Sequence, residues 1–188
     1  MCISCKNEFE NAWDEKREMY SYKNPVVKSV MLSLKRKAVS DLAEIVISKH
    51  VEILMGKLSR ENEAIFTSIP LTRSSLRIRG YNQSELLAKA CARRMQMYGF
   101  RFASYSSLLE RKGQQEKQAS LSRVERLKNM NGAFEVRSNL NKNILLKQDQ
   151  SCVIVIDDIT TTGATLTEAR RALISFGVKR NICRACAG

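Results

Sequence analysis

The sequence predicts an α/β protein: a central, mostly parallel sheet flanked by helices, with a small N-terminal appendage. Three observations carry this prediction. Val153-Ile154-Val155-Ile156 is a β-branched run of the kind found in a strand buried on both faces. A short polar turn leads from it into LTEARRALISFG, where Leu166, Ala169, Leu173 and Ile174 share one helical face and Gly177 supplies the stop. A second apolar strand, AIFTSIP from Ala64 to Pro70, precedes another amphipathic helix over 84–97. We read residues 1–18 as a Cys-containing appendage and 19–188 as the domain proper.

Composition narrows the classes. A chain of 188 residues can bury a substantial core. No apolar run approaches the ~18–20 residues of a membrane span, and the N-terminus has no secretory apolar region. Six cysteines without a signal peptide are expected to be reduced thiols, which places the chain in the cytoplasm. The 32 Lys and Arg against 19 Asp and Glu give a formal charge of +13, favouring polyanions such as a diphosphorylated sugar, nucleic acid or acidic headgroups. Aromatic residues are only 6% of the chain, so recognition of single strands by stacking has few platforms.

In chain order, MCISCK opens with the pair Cys2 and Cys5. A C-x-x-C pair can hold half of a tetrahedral Zn²⁺ site, or be two loose terminal thiols. Cys183 and Cys186 share the spacing, but on a strand residues three apart face opposite ways. Cys91 and Cys152 read as buried core thiols. Met19 to Tyr22 can form a short strand. Pro25 then opens a helix with Val26, Val30, Leu32 and Leu34 apolar and Lys28, Lys35, Arg36 and Lys37 basic. A second helix runs from about Ser40 to Leu58, and its His50, the one histidine, reads as a surface or helix-face residue.

After the strand ending at Pro70, Arg73, Arg77 and Arg79 precede Gly80, and we expect an Arg-rich, anion-reading turn there. In the helix that follows, Leu86, Leu87, Ala90, Cys91 and Met95 form the apolar face. Phe102 to Leu109 predicts another strand. The long polar segment that follows carries Arg111, Lys112, Gln114, Gln118, Arg123, Arg126, Lys128 and Asn129, with a helix expected from Ser120 and apolar Leu121, Val124 and Leu127. Basic loops of this length are often functional lids. Asn131-Gly132 marks a turn into Phe134-Glu135-Val136. Asn143 to Leu146 reads as an edge strand or a lead-in to the central one, and Val178 to Cys186 as the last strand.

The motif is CVIVIDDITTTGAT, Cys152 to Thr165. A phosphate cradle at a helix N-terminus would not want carboxylates beside it, whereas a sugar phosphate would. Asp157 and Asp158 can accept hydrogen bonds from vicinal ribose hydroxyls while Thr160, Thr161, Thr162, Gly163, Ala164 and Thr165 hold the 5′-phosphate. The alternative is an ordinary strand-to-helix turn capped by Thr. These residues resemble the phosphoribosyl-diphosphate (PRPP) motif of type I phosphoribosyltransferases: apolar strand, two acidic residues, then a Thr- and Gly-rich loop.

Two further blocks sharpen the resemblance. Ile69-Pro70-Leu71, Arg79-Gly80-Tyr81-Asn82-Gln83 and Leu87-Ala88 resemble the P-L…R-G-[FY]-N-Q…L-A block of the ComF-type competence family. Arg111, Gln118, Leu121, Arg126, Asn129 and Ala133-Phe134 resemble that family's R…Q…L…R…N…AF block. Tyr20-Ser21-Tyr22 and Leu34-Lys35-Arg36 fit it more loosely. The resemblance implies a type I phosphoribosyltransferase-like fold and a role in natural transformation, handling incoming single-stranded DNA with the inner-membrane uptake machinery. It further implies PRPP bound with Mg²⁺ at the acidic pair and Thr-rich loop. Pro70 and Leu71 would lie near the pyrophosphate, and Arg79, Arg111 and Lys112 could stabilise it. Arg111 and Lys112 fall where related enzymes carry a mobile loop. The family often has two C-x-x-C knuckles ahead of the fold, and this chain has only Cys2 and Cys5.

Three functions follow as expectations: a ComF-like protein binding PRPP and single-stranded DNA, a phosphoribosyltransferase of nucleobase salvage, or a PRPP-sensing module without turnover. The transferase needs a base-recognition pocket, and RNICRACAG offers neither an aromatic platform nor a polar selector.

Overall fold

The computed structural model describes residues 1–61, 63–112, 132–140 and 151–188. Its architecture is α/β. In chain order the elements are α1 (Ile3–Asn11), β1 (Trp13–Asp14), β2 (Met19–Tyr20), α2 (Pro25–Arg36), α3 (Ser40–Lys57), β3 (Ala64–Ser68), α4 (Arg73–Arg79), α5 (Gln83–Met97), β4 (Ala103–Tyr105), β5 (Leu109–Arg111), β6 (Phe134–Val136), β7 (Cys152–Ile159), α6 (Ala164–Phe176) and β8 (Asn181–Ala187). Six strands form one sheet in the order β1-β2-β8-β7-β3-β4, and β5 pairs with β6 apart from it. Every pairing of the large sheet is parallel except β1 with β2.

Strand β7 is central, and its alternation separates two cores. Cys152, Ile154 and Ile156 face a core shared with α1, α2, α3 and α5. Val153 and Val155 face a smaller core with α6 and the β5–β6 hairpin, including Leu108, Phe134, Ala169 and Leu173. Helices therefore cover both faces, as parallel strands buried on both sides require. Among the described residues no helix is long and apolar enough to cross a membrane.

Residues 1–18 lie against this body. Phe9 is fully buried, its ring centroid 4.2 Å from that of Tyr20, and Trp13 packs edge-on against Tyr20 and His50. His50 corrects the sequence reading: it is buried, not on the surface. It stands four residues after Val46 and three after Ile47, on the face of α3 that also buries Ala43, Val51 and Leu54. Its Nδ1 meets the Arg184 guanidinium at 3.3 Å, and Arg184 pairs in turn with Glu18 at 2.7 Å.

Other segments also differ. The expected Arg-rich turn is a helix, α4, capped by Thr72 Oγ1 and ended by Gly80 at φ 75°. The segment from Phe102 to Leu109 is not one strand. The Leu108 N–H turns to Thr67 Oγ1 at 3.1 Å, which peels the chain from the sheet edge into β5. Leu32 and Ile174, placed on apolar faces by periodicity, are exposed, while Met31 and Ala172 are buried. The predicted helix from Ser120 and strand over Asn143 to Leu146 lie outside the described residues, as do Gln114, Gln118, Arg123, Arg126, Lys128 and Asn129.

Candidate functional site

The carboxyl end of β7 opens into a cleft of about 200 Å³ lined by Asp157, Asp158, Thr165, Pro70, Leu71, Arg79 and Arg111, together with Lys35, Ile69, Thr72, Ser75, Gln83 and Ser84. Both aspartates are buried, at the end of a strand whose preceding residues, Cys152 to Ile156, are all buried and apolar. In α/β sheets the carboxyl ends of strands are where ligands bind.

The first turn of α5 holds the acidic pair. Asn82 caps that helix by accepting from the Ser84 N–H, and its Nδ2 donates to the Ile69 carbonyl at 2.9 Å, tying the turn to the end of β3. Ser84 Oγ donates to Asp157 Oδ1 at 3.1 Å, and Gln83 Nε2 donates to Asp158 Oδ2 at 2.9 Å. Lys35, in the last turn of α2, stands 3.4 Å from the same Asp158 oxygen. Burial pushes the Asp157 carboxyl up to about 7, and the neighbouring Asp158 charge adds to the rise.

Arg79 and Arg111 bring positive charge to the cleft. Arg79 Nη1 donates to Gln83 Oε1 at 2.9 Å. Arg111 Nε donates to the Pro70 carbonyl at 3.0 Å, and its guanidinium lies over the Phe134 ring at 4.9 Å from the centroid. Burial lowers its pKa despite the attraction of Asp157. Lys112, its neighbour on the hairpin, does not line the cleft; it is exposed and pairs with Glu135 at 3.5 Å. Adjacent residues on an extended chain point opposite ways, so one of the two cations enters.

The Thr-rich turn is compact. Thr160 Oγ1 accepts from the Gly163 N–H at 3.0 Å and Thr162 Oγ1 from the Ala164 N–H at 3.3 Å. Gly163 takes φ 76° as the N-cap of α6, where no side chain caps the helix. The Gly163 and Ala164 N–H groups are thus taken within the turn, and the backbone donors left at this end of α6 lie beyond Ala164, in its first turn. Of the turn, Thr165 reaches the cleft wall; Thr160, Thr161, Thr162, Gly163 and Ala164 do not line it.

The donor set suits a sugar phosphate with Mg²⁺. Hydrogen bonds from Ser84 and Gln83 use one oxygen of each aspartate, leaving hard oxygen donors for hydroxyls or a divalent cation, with arginines for phosphate. The N-terminal thiols fit Zn²⁺ less well. Cys2 caps α1, and its Sγ accepts from the Cys5 N–H at 3.4 Å, which lowers the Cys2 thiol, while the Cys2 side chain beside it raises that of Cys5. Among the described residues no group of three or more His, Cys, Asp and Glu could hold a metal ion, so the pair supplies half of a tetrahedral shell. Cys183 and Cys186 face opposite cores.

Sequence reasoning missed Lys35, Ser75, Gln83 and Ser84 as members of the site. The chain matches no protein-family model and no curated protein.

Proposed function

We propose that the cleft binds PRPP with Mg²⁺ on a type I phosphoribosyltransferase-like fold, and that the chain is a ComF-like protein handling single-stranded DNA in natural transformation, in the cytoplasm or at the inner membrane. One observation carries the ligand assignment: two buried, adjacent carboxylates share a cleft with two arginines and with Thr165 of the first turn of α6. Carboxylates alone would repel phosphate and arginines alone would not need them; a polyol bearing phosphates uses both. Asp157 and Asp158 would accept from the ribose hydroxyls, the first turn of α6 would receive the 5′-phosphate, and Arg79 and Arg111 the diphosphate. Mg²⁺ would be held by the oxygens of Asp157 and Asp158 that Ser84 and Gln83 leave available, and would offset diphosphate charge. The DNA role rests on the sequence blocks and the +13 charge. It predicts affinity falling by about 0.7 log units per log[salt] for each neutralised phosphate.

A second reading, transfer of the phosphoribosyl group to a nucleobase or other acceptor, is favoured by Asp157. A carboxyl pushed to about 7 can hold or release a proton near neutrality.

Isothermal titration with PRPP and Mg²⁺ tests the site. Micromolar binding, about −8 kcal/mol, should vanish when Asp157 and Asp158 are both replaced by Ala. A wild type that binds no PRPP removes the ligand assignment, and binding that survives the double change moves it elsewhere on the molecule.

A further inference from the structure

We propose that Lys35 is a phosphate-binding residue of this cleft, delivered by α2 and selecting ligands that carry a diphosphate over those with the 5′-phosphate alone. The inference rests on the sugar-phosphate reading of the site and adds a residue from a helix that reading does not use. The ammonium stands 3.4 Å from Asp158 Oδ2, beyond the ~2.7–2.9 Å of a strong charge-assisted bond, so the pair is not tightly closed. Lys35 is part of the cleft wall with Arg79 and Arg111. Three cations thus converge on two carboxylates. Such crowding of like charge is costly unless an anion joins it.

The position is also fixed. Leu34 is buried in the main core, and the Tyr81 hydroxyl donates to the Leu34 carbonyl. That bond ties the end of α2 to the Gly80-Tyr81-Asn82 connection, whose flanking residues Arg79 and Gln83 serve the same cleft. Asn24 caps the other end of α2 through two backbone N–H groups. A lysine held in this way reaches its ligand with less lost side-chain freedom than one on a free surface. Because the first turn of α6 beyond Ala164 is assigned to the 5′-phosphate in that reading, Lys35 with the two arginines is left for the other phosphate group.

The test compares PRPP with ribose 5-phosphate, each with Mg²⁺, on the wild type, Lys35→Gln, Lys35→Arg and Tyr81→Phe, with thermal melting of each. Losing one charge-assisted contact should weaken PRPP by about tenfold in Lys35→Gln. Ribose 5-phosphate should change by less than about twofold, and Lys35→Arg should restore most PRPP affinity. Tyr81→Phe keeps the ammonium but frees the helix end, so it should weaken PRPP by a smaller factor and again spare ribose 5-phosphate. Equal PRPP affinity in Lys35→Gln and wild type overturns the proposal while leaving the site reading intact. Equal loss of both ligands also overturns it, since Lys35 would then act only on the carboxylates. A wild type that binds neither ligand sinks the site reading itself, and this proposal with it. Should Lys35→Gln not fold, unchanged PRPP affinity in Tyr81→Phe decides against it.

Discussion

Gln83 joins Arg79 to Asp158 without letting their charges touch: its Oε1 accepts from Arg79 Nη1 and its Nε2 donates to Asp158 Oδ2, both at 2.9 Å. A direct ion pair would spend the arginine on the carboxylate. With an amide between them, both charges are positioned by hydrogen bonds yet remain open to a ligand that needs one of each.

Gln83→Glu should therefore damage binding more than Gln83→Ala. The glutamate keeps its contact to Arg79 but sets a carboxylate against Asp158 in a buried site, and PRPP affinity should fall by about a hundredfold. Gln83→Ala removes the bridge and leaves buried partners unpaired, at about 1–3 kcal/mol of stability. Titration and urea unfolding of both variants check this; a Gln83→Glu protein that binds like the wild type would show the bridge to be incidental.

Arg111→Lys should not be conservative. The arginine donates Nε to the Pro70 carbonyl while its flat face covers Phe134, and an ammonium cannot do both. We expect a stability loss of about 1 kcal/mol and PRPP affinity lower by about tenfold. Lys112→Ala serves as the comparison: its exposed pair with Glu135 is worth little, so neither quantity should move appreciably.

Much of this was readable from residues close together in sequence. The apolar run before Asp157 and Asp158, and the helix ending at Gly177, are local patterns and gave β7 and α6. Helix α4 also left signals, Thr72 as cap and Gly80 as stop, but RSSLRIR lacks an apolar stripe and reads as a turn. His50 was misplaced although the spacing of Ala43, Val46, Ile47, Val51 and Leu54 puts it on the buried face. Its partner Arg184 lies far along the chain, and only folding brings them together. Gln83 and Lys35 stood in the blocks over 79–83 and 34–36 that carry the family resemblance, yet they and Ser84 were not placed in the site, because their role is defined by contact with β7.

Asp157 should make stability fall as pH rises toward neutrality. Its folded pKa is raised from 3.8 to about 7, so the folded protein holds a proton there that the unfolded chain releases. That contribution is fully present below 3.8 and is lost as pH passes through about 7. Asp157→Asn does not titrate, so the wild type should lose stability relative to this variant between about pH 5 and 7. Parallel unfolding curves for the two proteins across that range would mean that the carboxyl is already ionised in the folded state.

His50 should act in the opposite sense. Burial, aided by the Arg184 guanidinium, pushes the imidazole down from 6.5 to about 3, so the folded protein keeps it neutral while the unfolded chain takes up a proton. Its contribution is whole above 6.5 and is lost as pH falls toward 3, at up to about 1.4 kcal/mol per pH unit. Glu18, held below the usual carboxylate range chiefly by Lys57 and Arg184, adds a loss of the same sign only at lower pH. The measurement therefore belongs between about pH 5 and 6.5. There His50→Gln, which keeps an acceptor for Arg184 but cannot titrate, should make unfolding free energy fall more steeply with rising pH than in the wild type, because the opposite slope of Asp157 is then unopposed. If its slope equals that of the wild type, the imidazole is not the group that charges on unfolding.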